Sequence, residues 1–161
     1  FVSILFILTA CQQAPPPVDI ESETAALEQL HKTFGEAFIN SDVETMASYL
    51  DENSLLCGTD PGEFMNKEEF IKVYERIEDP GVFGMEFFGD RVIKVAPDGR
   101  SAIVVEQFTL VYMPNVPVRN VYSLNKTEDK WMISFLSCAL VPKNEDIMKI
   151  ATATQVEQEV E

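Results

Sequence analysis

An α+β domain is predicted by three features of this chain. Helical spacing of apolar residues crowds the first half, strand-like alternation fills the second, and Gly/Pro/Asp/Asn clusters punctuate the segments. Once an N-terminal leader and stalk are set aside, about 140 residues remain, the size of one ordinary domain. An apolar content of 46% supports a packed core and argues against disorder.

The leader comes first. Phe1-Val-Ser-Ile-Leu-Phe-Ile-Leu-Thr-Ala-Cys11 is an apolar run shorter than the about 20 residues that span a bilayer. It has the length of a signal-peptide h-region followed by small residues at a cleavage point. Because the chain starts at Phe, a basic n-region is expected ahead of it. Gln12-Gln13-Ala14-Pro15-Pro16-Pro17 then forms a proline-rich spacer over 12–18, which neither continues a helix nor joins a sheet interior.

The first long helix is predicted over about residues 19–40, where Ile20, Leu27, Leu30, Phe34 and Phe38 recur near helical spacing. A second opens with a capping box at Ser41-Asp42-Val43-Glu44, Ser41 as N-cap and Glu44 at N3. Asp51-Glu52-Asn53 breaks the pattern before a short strand at Leu55-Leu56-Cys57. Gly58-Thr59-Asp60-Pro61-Gly62 is a turn. The third helix starts at Asn66, with Glu69 three residues on, and turns Phe70, Ile71, Tyr74 and Ile77 inward until Glu78-Asp79-Pro80-Gly81 ends it.

Strands are predicted over 83–88 and 91–96. Pro97-Asp98-Gly99 marks a tight turn into a long strand over 101–113, Pro114-Asn115-Val116-Pro117 a loop, and further strands follow near 118–125 and 131–141. Residues 143–161 form an acidic tail, either a frayed helix or a disordered end. A sheet that covers so long a helix must curl, and curling makes a cone with one open mouth, a natural small-molecule cavity.

Charge and cysteines narrow the function classes. Twenty-seven acids against twelve bases give a net charge of −15. Nucleic acid is excluded as a partner, because phosphate binding rests on Lys and Arg. Adhesion to an anionic membrane through basic residues is equally disfavoured. Cys57 and Cys138 are either a disulfide pair or two small buried hydrophobes. With no Cys-x-x-Cys and a single histidine, His31, no metal site and no cofactor are expected.

Alternation along the long strand puts Val104, Glu106, Phe108, Leu110 and Tyr112 on one face and Ile103, Val105, Gln107, Thr109 and Val111 on the other. Both faces are largely apolar, so both are expected to be covered, one by the helices and cavity. Glu106 is either a cavity carboxylate or an ion-paired or solvated one. His31, near Leu27 and Phe34, is either a satisfied or surface histidine or a pocket acid/base. Trp131 plugs the end of the sheet or stacks on a ligand. Tyr74, Tyr112 and Tyr122 either pack the core or place a hydroxyl in the cavity. Asp60 either caps its own turn or faces a ligand.

Leu8-Thr9-Ala10-Cys11 resembles the lipobox of bacterial lipoproteins, in which the cysteine is lipidated and becomes the mature N-terminus. That resemblance implies a domain anchored in the bacterial cell envelope, periplasmic or surface-facing, and removes Cys11 from consideration as a nucleophile. Residues 22–142 resemble the SnoaL-like, NTF2-like superfamily, which includes ketosteroid isomerases and polyketide cyclases. The parts that carry this are the long first helix, Asn40-Ser41-Asp42-Val43-Glu44 leading to Tyr49-Leu50-Asp51-Glu52-Asn53, the Gly58–Glu63 turn, the capped third helix, and Asp129-Lys130-Trp131-Met132-Ile133.

The resemblance implies an NTF2-like cone over 19–142, three N-terminal helices packed in a strongly curved, mostly antiparallel sheet. It implies a homodimer formed through the outer sheet face. It also implies a cavity lined by Phe34, Phe38, Tyr74, Glu106, Phe108, Tyr122 and Trp131. In the isomerases a carboxylate before a proline shuttles the proton, and Asp60-Pro61 resembles that position. The oxyanion-hole tyrosine falls at Phe34, which has no hydroxyl, and the partner aspartate falls near Asn120, an amide able to donate one hydrogen bond. Binding of a small apolar ligand, without demonstrated catalysis, is therefore the leading expectation. The alternatives are an isomerase, cyclase or dehydratase with Asp60 as general base and Asn120, His31 or a tyrosine orienting substrate, and an interaction module working through its sheet face.

Overall fold

The computed structural model describes residues 17–77 and 84–158. The leader, the lipobox Cys11, residues 12–16 of the stalk and the 78–81 helix stop lie outside the described residues.

Helix α1 (Ile20–Ile39) opens on Asp19, whose Oδ1 accepts the Ser22 N–H at 3.1 Å, with Glu21 and Glu23 favourably placed in its first turn. Leu27, Leu30, Phe34 and Ala37 recur every three or four residues and are buried along one stripe, and His31 is buried with them. Helix α2 (Val43–Tyr49) is capped one residue later than the sequence predicts. Asp42, not Ser41, accepts the Thr45 N–H at 3.0 Å. Ser41 instead takes a left-handed φ of 51°, the reversal that turns α2 back toward α1. Helix α3 (Lys67–Tyr74) has the predicted capping box: Asn66 accepts the Glu69 N–H, and Glu69 accepts the Asn66 N–H. It buries Phe70 but stops at Tyr74, so Ile77 lies beyond it.

The strands are β1 (Leu50–Cys57), β2 (Phe64–Met65), β3 (Met85–Phe87), β4 (Val92–Val95), β5 (Ser101–Leu110), β6 (Met113–Thr127) and β7 (Lys130–Leu140). They form one sheet in the order β2-β1-β7-β6-β5-β3, with β4 also on β5. All pairings are antiparallel except β1 with β7. In the described part of the tail a short 3₁₀ turn (Asn144–Asp146) leads into helix α4 (Ile147–Gln158), with Ile147, Met148 and Ile150 exposed.

Two predicted breaks are bulges within strands. Leu50 pairs with Ile133 and Leu55 with Phe135, so Asp51–Ser54 stand opposite Ser134 alone. Phe108 pairs with Val118 and Leu110 with Met113, so Pro114–Pro117 stand opposite Thr109 alone. The bulge takes both prolines out of the ladder, where a missing N–H does no harm. The chain turns instead at Val111-Tyr112. The Pro97-Asp98-Gly99 turn is as predicted. Gly99 has φ +67° and would bring an added Cβ within 2.6 Å of Val18, so the turn requires glycine.

The inner face of β5 is buried throughout at Val104, Glu106, Phe108 and Leu110. On its outer face, among the described residues, Ile103 is 53% exposed and Val105, Gln107 and Thr109 are half-buried, so this face is open to a further partner in the single chain. Cys57 and Cys138 are free thiols; Cys57 is in register with Ser137, not Cys138.

Candidate functional site

The concave face of the sheet leaves a chamber of about 230 Å³ under the C-terminal half of α1 and against α3. Its walls are mostly apolar: Phe34 and Phe38 from α1, Phe70 and Tyr74 from α3, Phe108, Leu110 and Leu136 from the sheet. A polar row crosses it. Glu106, Asn120 and Cys138 are cross-strand neighbours on β5, β6 and β7, and Tyr122 lies two residues along from Asn120 on the same face.

These side chains are wired together. The Tyr122 hydroxyl donates to Glu106 Oε1 at 2.8 Å and accepts from Asn120 Nδ2 at 2.9 Å. Arg91, between β3 and β4, donates from Nε to Glu106 Oε2 at 2.8 Å. Each oxygen of a carboxylate that is only 6% exposed is thus held by a donor, one of them a charge. Burial first, then the Glu106 charge, pushes the Tyr122 hydroxyl far above the ordinary tyrosine range, so it stays protonated and a donor. Burial pushes the Cys138 thiol up to about 11, with Glu63 and Glu106 adding to the effect, so it is no thiolate nucleophile at neutral pH.

His31 stands behind this row. Its ring meets Tyr122 edge-on at 4.4 Å between centroids, and its Nε2 is buried without a protein partner. Burial, then the Arg91 charge, lowers its pKa to about 3. It borders not the chamber but a more open groove of about 470 Å³, with Glu28, Lys32, Phe87 and Arg91. Gly35 borders both spaces.

The sequence-derived site residues divide accordingly. Phe34, Phe38, Tyr74, Glu106, Phe108, Asn120 and Tyr122 line the chamber. Asp60 does not. It is exposed, and its Oδ1 accepts the Gly62 N–H at 2.9 Å, capping the turn in which it sits. Proline at 61 and glycine at 62 close that turn on itself, so the carboxylate is spent on backbone and the role of general base has no geometric support. Trp131 is a second correction. Its Nε1 donates to Glu23 Oε2 at 2.9 Å, and Lys126, paired with the same carboxylate, lies over its ring. Glu23 and Gly35 are twelve residues apart on one helix, about 18 Å, so Trp131 closes the far end of the core.

Phe34 packs edge-on against Tyr122, 6.4 Å between centroids, so the aromatic hydroxyl that the helix lacks comes from β6. Arg91 is the one member of the cluster that the sequence did not single out. A lone base opening a predicted strand carries no periodicity signal; its partner, Glu106, was the clue, as a carboxylate on an otherwise apolar face. Among the described residues no cluster of His, Cys, Asp and Glu could hold a metal ion, and no helix is long and apolar enough to cross a membrane.

Long α1, two short helices and a curved, mostly antiparallel sheet closing on a chamber define an NTF2-like fold. The profile of the SnoaL-like domain family matches residues 27–139, and the chain belongs to that family. No curated protein matches it. Solved structures with the same fold include an NTF2-like protein from Cytophaga hutchinsonii ATCC 33406, 18% identical, covering 73% of this chain and 98% of its own, TM-score 0.59. Another is an NTF2-like protein of unknown function from Shewanella baltica OS155, 14% identical, covering 78% and 99%, TM-score 0.63. A cystatin-like-fold domain of unknown function from Nostoc punctiforme PCC 73102 is 15% identical and covers 86% and 94%, TM-score 0.67. At these identities the likeness speaks for fold, and a fold of this kind hosts unrelated functions.

Proposed function

We propose that this protein is a lipid-anchored envelope domain that binds a small apolar molecule in its chamber. The observation that carries the reading is a chamber of about 230 Å³, walled by aromatic and aliphatic side chains and closed at one side by a hydrogen-bonded polar row. A dry cavity of about 150 Å³ admits benzene, and drug-sized ligands need about 300 Å³ or more, so one ring with a short substituent fits. Catalysis is not part of the proposal, because Asp60 faces solvent and both Glu106 oxygens are engaged.

Gly35 supplies the test. A Cβ built there meets nothing within 4 Å, so Gly35→Leu starts from an unhindered Cβ at the chamber wall, and replacing a helical glycine favours α1 by roughly 1 kcal/mol. Titration calorimetry with ethylbenzene should show binding to the parent chain and at least ten-fold weaker binding to Gly35→Leu, whose Tm is unchanged or higher. No binding to the parent chain would remove the chamber from consideration.

Anchoring is supported by Leu8-Thr9-Ala10-Cys11 and the proline spacer after it. Lipid chains contribute on the order of 0.8 kcal/mol per buried methylene, so a multiply acylated Cys11 holds a domain whose net charge of −15 would not adhere to an anionic membrane. Cys11→Ser should shift the protein from the membrane to the soluble fraction of expressing cells; retention would sink the lipobox reading. The uncovered outer face, with Leu55, Val92 and Ile103 exposed, supports pairing with a second copy of the chain.

A further inference from the structure

The charged side chains that border the chamber are of one sign. Among the described residues they are Glu63, on the turn side, and Glu106, in the polar row; no lysine, arginine or histidine lines it. Arg91, the cation nearest the row, approaches Glu106 from behind and opens on the groove beneath α1. Its charge neutralises Glu106 without presenting itself to a ligand.

The hydrogen-bonding capacity left over in the row is mainly accepting. Tyr122 spends its proton on Glu106 and takes one from Asn120. Each Glu106 oxygen has accepted one donor and keeps a further lone pair. Asn120, 8% exposed, commits an N–H to Tyr122 while its Oδ1 is buried without a protein partner. Apart from the weak S–H of Cys138, one remaining amide N–H is the uncommitted donor in the row, set against acceptors on two residues.

Resting on the binding reading above, we infer that the chamber selects small apolar molecules whose polar end donates a hydrogen bond, an alcohol or phenol, and rejects carboxylates of the same shape. A donor entering the row meets the Asn120 carbonyl or a free lone pair of Glu106. A carboxylate meets the Glu63 charge and a Glu106 already paired with Arg91, finds no cation of its own, and leaves its charge unpaired in an apolar enclosure. This polarity is the reverse of an oxyanion hole, which gathers donors around a developing negative oxygen. The amide at 120, expected from sequence as such a donor, instead already donates within the protein.

Four ligands of one shape test this on the full chain: ethylbenzene, 4-ethylphenol, 4-ethylanisole and 4-ethylbenzoate, by titration calorimetry at pH 7.5. The phenol should bind about ten-fold tighter than ethylbenzene and than the anisole, which accepts but does not donate, because it satisfies a buried acceptor. The benzoate should bind at least ten-fold weaker than ethylbenzene. Asn120→Leu should erase most of the phenol's advantage while ethylbenzene still binds, and Glu63→Gln, at the rim, should relieve part of the benzoate's penalty. If ethylbenzene and the phenol both fail to bind, the chamber reading itself falls. If ethylbenzene binds and the phenol is no better, or the benzoate equals it, the chamber stands and the inference of donor selection is overturned.

Discussion

Replacing Arg91 with methionine should lower stability by about 2–3 kcal/mol and Tm by several degrees. Removing one partner of a buried ion pair costs about 3–5 kcal/mol, since it leaves an uncompensated charge in a low-dielectric site. The Arg91 side chain is 26% exposed, so water reaches its end of the pair and the loss falls below that range. Glu106, at 6% exposure, is the member that cannot be rehydrated, and Tyr122 alone would then hold it. The double variant Arg91→Met/Glu106→Gln keeps an oxygen to accept the Tyr122 proton and leaves no charge, so it should recover at least half of the loss. Chemical denaturation of the parent chain, Arg91→Met, Glu106→Gln and the double variant gives the coupling directly. A single-variant loss under about 1 kcal/mol, or a double variant no better than Arg91→Met, would mean that the pair is not what keeps a carboxylate inside this sheet.

That pair also marks how far the sequence could be read. Periodicity found α1 because a long amphipathic helix repeats its message at Leu27, Leu30, Phe34 and Phe38. The α3 cap was legible because Asn66 and Glu69 satisfy each other locally, with no help from the rest of the fold. The α2 cap slipped by one residue because Ser41 and Asp42 are both good caps and only the left-handed turn at Ser41 decides between them. Asp51–Asn53 and Pro114–Pro117 are unfit for a ladder by their sequence, yet the strands continue past them. Pairing of the flanking residues is a tertiary fact that overrides local propensity. The two-residue hairpin between β6 and β7 gave no turn signal, because Glu128 and Asp129 adopt φ of 48° and 63° where Asn-Gly would be expected.

The site was legible in the same proportion. Alternation along β5 isolated Glu106 as a carboxylate on a buried face, and counting along β6 reached Asn120. Period two does not say which neighbour neutralises the charge, and the connection between β3 and β4 carries Arg91 to Glu106 across fifteen residues of sequence. Asp60 misled because an Asp-Pro-Gly turn and a proton-shuttling carboxylate before proline look alike in one dimension. Only the direction of the turn separates them, and here Oδ1 points back at Gly62.

His31→Phe should flatten the acid side of the stability profile. The folded chain keeps His31 neutral down to about pH 3, because burial and then the Arg91 charge oppose its protonation, whereas an unfolded histidine takes up a proton below about 6.5. Between those values the unfolded state binds the extra proton, so stability rises with pH. The contribution is fully present above about 6.5 and is lost as pH falls toward 3, at roughly 1.4 kcal/mol per unit. From pH 7.5 to pH 5 the wild-type chain should therefore lose about 2 kcal/mol relative to His31→Phe, which has no proton to take up. That window lies above the titration of Glu23, Asp42, Glu68 and Asp146, whose lowered pKa values make them sensitive only at more acid pH. Phenylalanine keeps a planar ring against Tyr122 and deletes the unpartnered Nε2, so packing is preserved while the charge is removed. Parallel denaturant curves at the two pH values, with an unchanged difference between the chains, would show that His31 is protonated in the native state and that its surroundings are far wetter than its 3% exposure implies.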